Sequence, residues 1–144
     1  MSPLLAIRPY AGFRSSLPTD TIETHDEIVQ VGGKTVAEEI IKILVRLGAG
    51  ATEPFLEGES GWQFDVEFAG REMFGQVVHV EMFHLTLQDA PVPGKLPTRA
   101  LVELITGLAD EMERDPRFSD IRWYDDGDAA LRLDDEPGAA RPVG

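Results

Sequence analysis

Residues 62–68 read WQFDVEF: Trp62, Phe64, Val66 and Phe68 alternate without a break with Gln63, Asp65 and Glu67. A period of two puts the four apolar side chains on one face of an extended strand and the three polar ones on the other. Such a strand needs one covered face and tolerates one wet face, so the rest of the chain has to supply the cover. Ala69–Gly70 follows as a turn, and apolar residues resume at Met73 and Phe74. A hairpin is therefore expected, although Ala-Gly sets the register less firmly than Asn-Gly.

Two amphipathic helices are available as the cover. Thr35 and Glu38 have capping-box spacing, and Ala37, Ile40, Ile41, Leu44 and Val45 follow at helical intervals. Gly48 stands where a left-handed residue ends a helix, which predicts a helix over about 35–47. Thr98 predicts the cap of a second, whose stripe is Leu101, Leu104, Ile105, Leu108 and Met112. Gly107 weakens its middle by about 1 kcal/mol relative to alanine and marks a point of close packing. Asp115–Pro116 ends it, because a residue before proline is pushed out of the helical region.

Shorter strands are expected in "LLAIRPYAGF" (4–13), "EIVQV" (27–31) and "FSDIRWY" (118–124). The stretches 14–26 and 50–61 read as loop. The expected fold is α+β: a mainly antiparallel sheet of about four or five strands with two amphipathic helices packed on one face. Residues 1–125 form one domain, and 126–144 an acidic C-terminal tail expected to be mobile. No internal repeat is present.

Charge narrows the range of partners. The net charge is −13, from 26 acidic and 13 basic residues, a field that repels nucleic acid and anionic membranes and suits a basic partner or solubility alone. There are no cysteines, so disulfides, thiolate nucleophiles and cysteine-containing zinc sites are excluded. Neither a signal peptide nor an apolar run of the ~20 residues needed to span a bilayer is evident, and a soluble cytoplasmic protein is expected.

The stretch 77–85, VVHVEMFHL, holds His79, Glu81 and His84, two of the three histidines of the chain. Apolar residues fall at even positions through Met82 and at odd positions from Phe83. A β-bulge at that point would restore one apolar face and gather His79, Glu81, His84, Thr86 and Gln88 on the other. Same-face neighbours along a strand are ~6.5–7 Å apart, so the two histidines would stand ~13 Å from each other, too far to share one zinc with Glu81. The segment also lacks the HExxH spacing of zinc peptidases and the cysteines of zinc deaminases. A solvated strand face is the expectation, and a metal-dependent enzyme using His79, Glu81 and His84 the alternative.

Other motifs fall short. "VGGKT" lacks the leading glycine of a phosphate-binding loop, since position 28 is Ile28. "DDGDAALRLDDE" has glycine where a calcium loop needs its second ligand. Asp65 and Glu67 share a face at a distance that suits a glycosidase, but any two strand neighbours do so. No cofactor is expected.

The segment "RWYDDGD" sets Trp123 and Tyr124 beside Asp125, Asp126 and Asp128. Buried core is the first reading of both rings; the other is an aromatic anchor rimmed by acids that fits a basic protein surface. "GWQFDVEFAG", the alternating strands, the second helix and "DPRFSDIRWY" together resemble small uncharacterised bacterial proteins of the toxin-immunity type, over residues 61–124. That resemblance implies an acidic, non-enzymatic protein that blocks a toxin's active site, and it carries over no individual residue. The expected function is a non-enzymatic acidic binding protein that neutralises a basic macromolecular partner, plausibly a bacterial toxin, through Trp123, Tyr124, Asp125, Asp126 and Asp128. A structural oligomerisation subunit is a further alternative.

Overall fold

A computed structural model describes residues 7–25, 27–89, 98–125 and 138–143. The strands are β1 (Tyr10–Ser15), β2 (Ile22–Glu23), β3 (Ile28–Gln30), β4 (Gly50–Ala51), β5 (Phe55–Leu56), β6 (Trp62–Phe68), β7 (Arg71–Val80), β8 (Met82–Asp89) and β9 (Phe118–Tyr124). The helices are α1 (Lys34–Arg46) and α2 (Arg99–Arg114), with a short 3₁₀ turn at Gly58–Ser60.

The main sheet is antiparallel, runs in the order β4-β6-β7-β8-β1-β9, and gains a seventh strand where β5 also pairs with β6. β2 and β3 make a separate two-stranded ribbon. The α+β architecture is as expected, but the sheet is larger than four or five strands. The excess comes from β4 and β5, two-residue strands inside a stretch that reads as loop. Two residues are too few to show a period, so nothing local marks them.

The alternation over 62–68 sets the architecture. Trp62, Phe64 and Val66 are buried on one face, joined by Met73 and Val77 of β7, Phe83, Leu85 and Leu87 of β8, Ala11 and Phe13 of β1, and Trp123 of β9. α1 packs against β4, β6 and β7, and α2 against β6, β8 and β9, so both helices cover this one face. Each large side chain so buried is worth about 1.5–3 kcal/mol. Gly75 sits directly opposite Phe64, whose ring lies where a Cβ would stand, at 2.3 Å.

α2 is as the sequence predicts. Thr98 Oγ1 accepts the Leu101 amide at 3.2 Å, and every residue of the expected stripe is buried. Gly107 lies against Leu47 at the end of α1, with a Cβ position 3.2 Å from the leucine, so glycine lets the helices approach. α1 departs in detail. Thr35 is inside the helix rather than its cap, and its amide is accepted by Asp20 Oδ2 at 2.7 Å, from fifteen residues upstream. Val36 and Ile43 are buried while Val45 is exposed, so the stripe is rotated from the predicted one. The C-terminus closes as expected: Gly48 has φ 103°, and the Gly48 and Ala49 amides return to Val45 and Leu44.

Residues 138–143, within the segment expected to be a mobile tail, meet β9 at Ala139 and the stretch before β1 at Pro142 and Val143. Ala139 and Trp123 exchange both backbone hydrogen bonds at 2.8 Å, and Val143 pairs with Ile7.

Candidate functional site

The three residues in 77–85 do not converge. β7 and β8 are joined not by a bulged continuous strand but by a reversal at Glu81, with Val80 opposite Met82, His79 opposite Phe83 and Val78 opposite His84. Glu81 takes φ 63° to close it, a conformation that costs a non-glycine residue about 1 kcal/mol. The change of parity in the sequence is the chain turning back, because residues equidistant from a turn share a face. His79 consequently lies on the helix side, its ring edge-on to Phe83 at 4.7 Å. His84 lies on the opposite face, with Nε2 3.2 Å from the Val80 carbonyl and Nδ1 buried without a hydrogen-bond partner among the described residues. Burial holds its pKa below the ordinary 6.5, with the nearby His79 acting the same way against the hydrogen bond to Val80. Among the described residues no three histidine or carboxylate side chains are grouped to hold a metal ion.

The aromatic pair on β9 is inside the protein. Trp123 is 1% exposed in the main core, and Tyr124 is 4% exposed beneath Gly138, where a Cβ would come 2.8 Å from the phenol ring. Neither ring is presented at the surface. Asp125 is exposed at the end of β9, while Asp126 and Asp128 lie outside the described residues.

The sheet face away from the helices carries a different constellation. The two-residue turn at Ala69–Gly70, with φ 52° and 75°, is the type I′ geometry that suits the strand twist. It sets Glu67 directly opposite Glu72 and Asp65 opposite Phe74. These four residues and Thr52 border an open groove of about 650 Å³ at the β4–β6–β7 end. Thr52 shapes its floor: the hydroxyl accepts the Asp65 amide at 2.9 Å, and its own amide donates to the Asp65 carbonyl. Phe55, opposite Gln63 and 43% exposed, adds an aromatic ring to the same face.

Electrostatically this end is one-sided. Residues 50–74 contain Glu53, Glu57, Glu59, Asp65, Glu67 and Glu72 against Arg71 alone. Among the described residues Asp65, Glu67 and Glu72 enter no ion pair. Like charges directly opposite each other on a sheet are destabilising. What the arrangement can do chemically is receive cationic side chains against an apolar floor. The shared face of Asp65 and Glu67 was legible in the alternation; the addition of Glu72 and Phe74 depends on the turn register.

The fold and face together define an acidic α+β protein with a helix-covered sheet and an open, carboxylate-bearing surface. Comparison of the chain with family models, curated proteins and solved structures finds no match. No described helix is long and apolar enough to cross a membrane.

Proposed function

We propose that the chain is a non-catalytic binding protein that captures a basic macromolecular partner on the open face of its sheet, in the manner of an immunity protein neutralising a toxin. The observation that carries this reading is the Glu67–Glu72 pair, set opposite each other beside Asp65 with no ion pair to any of the three among the described residues. An arrangement unfavourable in the free protein becomes favourable when a partner's lysine or arginine side chains enter it. The −13 field steers the encounter, and Phe55 and Phe74 take the anchoring part that the buried Trp123 and Tyr124 rings cannot. Asp125 adds to the steering field from the far end of the sheet.

The test is a parallel pull-down from the native cells with the tagged parent and an Asp65→Lys/Glu67→Lys/Glu72→Lys variant, read by mass spectrometry. The expected result is one near-stoichiometric basic partner held by the parent and lost by the variant. Equal retention by both would move the interface off this face, and no retained partner at gentle salt would remove the reading.

A further inference from the structure

The open face of the sheet forms a grid at its β4–β6–β7 end. Pairing sets Gly50 beside Glu67, and Glu67 beside Glu72, in one row. In the next row Thr52, bonded through its amide and hydroxyl to the Asp65 backbone, lies beside Asp65, which stands opposite Phe74. In the third, Phe55 is beside Gln63 and Gln63 opposite Gln76. Successive rows on one face of a strand are ~6.5–7 Å apart.

The β4 column of this grid is low. Gly50 has no side chain, with nothing within 4 Å of where a Cβ would stand, and Thr52 is short. Beside it the longer side chains of Glu67 and Asp65 form a wall, and Phe55, 43% exposed, marks one end. The groove of about 650 Å³ is therefore a trough that runs along the strands. Among the described residues no strand of the sheet lies beyond β4 to close its outer side. Arg71 does not neutralise the wall, since it stands opposite Phe68, which packs toward the core on the other face.

Such a trough selects the shape of its occupant as well as its charge. An extended segment presents alternate side chains on one side, at the same ~6.5–7 Å that separates Glu67 from Asp65. Two cations two positions apart meet both carboxylates together. Two adjacent cations point to opposite sides, and only one faces the wall. The Glu67 row offers a second carboxylate in Glu72, and the Asp65 row sets its carboxylate beside the Phe74 ring, a combination that suits a guanidinium.

We infer that the part of the partner captured here is an extended basic segment with arginine or lysine at alternate positions, lying along β4 with its cations against Glu67 and Asp65. This rests on the proposed capture of a basic partner and adds the conformation and spacing that the trough accepts.

Three hexapeptides of one composition, with two arginines one, two or three positions apart, test the spacing by NMR titration of the full chain. The peptide with arginines two apart should move the Gly50, Ala51, Thr52, Asp65 and Glu67 amides. It should bind about threefold or more tighter than its isomers, the gain from a second exposed ion pair. Asp65→Asn/Glu67→Gln, which keeps side-chain size at two exposed positions, should erase that preference. Equal affinities, or no movement of these amides at millimolar peptide, overturn the extended segment. Calcium moving the same amides at lower concentration than the peptides makes the trough an ion site and overturns it too. Movement on concentrating the chain alone makes the occupant a second copy, with the same consequence. The broader reading fails separately, when the parent retains no basic partner. A partner held by the parent and lost by the triple lysine variant, together with equal peptide affinities, leaves capture in place and removes the extended segment alone.

Discussion

At the β9 end of the sheet, the charged groups are used to hold the molecule together. Arg117 makes a bidentate contact with Asp115 and also reaches Glu39, tying the end of α2 to α1, while Arg14 meets Asp120 and Arg141 meets Asp110 and Glu113. At the β4–β6–β7 end, Asp65, Glu67 and Glu72 share a face with no such partner among the described residues. One sheet thus has an end whose charges are satisfied internally and an end whose charges are left for something else. Uncompensated like charge costs stability, so the second end is the place where selection for function would explain the cost.

The comparison is most severely tested at Trp123. Truncating Trp123→Ala removes a fully buried ring while leaving the backbone bonds to Ala139 in place, and should cost about 3–5 kcal/mol in denaturant unfolding. A cost below about 1 kcal/mol would mean that the β9 end is not the tightly built one. Arg117→Ala is next, at about 2 kcal/mol, because it strips charge-assisted hydrogen bonds from Asp115 and Glu39 together. Arg117 holds Asp115 below the usual carboxylate range, and Lys42, then Arg117, do the same for Glu39. Both carboxylates are charged sooner in the folded than in the unfolded chain as pH rises, so their contribution is full above the ordinary values of 3.8 and 4.5 and is lost as pH falls below them.

At the open end the sign reverses. Glu72→Lys converts a repulsive cross-strand pair into an attractive one and should stabilise the chain by about 0.5–1 kcal/mol while weakening partner capture. A variant that is less stable would show that Glu72 has a structural role after all. The smallest effect belongs to His84. Its folded pKa lies below 6.5, so the unfolded chain takes the proton first: stability is full above that pH and declines as pH falls from it through the folded value. His84→Gln should flatten that decline and leave the lower-pH loss from Glu39 and Asp115 in place. An unchanged profile between pH 7 and 5 would show that the imidazole is not paying a burial cost.

Where the sequence was readable, the signal was local and repeated. Thr98 and the five-residue stripe behind it specify α2 because cap and stripe lie within one helix. α1 shows the boundary of that logic: Thr35 has the right neighbours for a capping box, yet Asp20, brought in by tertiary structure, supplies the acceptor. The parity change at Met82–Phe83 is equally compatible with a bulge and with a reversal, and only the pairing of β7 with β8 separates them. The rings of Trp123 and Tyr124 are not exposed for a similar reason: Trp123 joins the core, and Gly138, fourteen residues after Tyr124, packs on the phenol ring.

The sequence by itself determined that a half-buried strand at 62–68 would need two amphipathic helices as its cover, because periods of 2 and 3.6 are written residue by residue. It also determined an acidic surface, because charge is a sum over composition. Tertiary structure decided which carboxylates meet, which face each histidine takes, and where residues 138–143 return to the sheet. Those outcomes follow from register and from contacts between distant segments, where a shift of one residue exchanges the two faces of a strand.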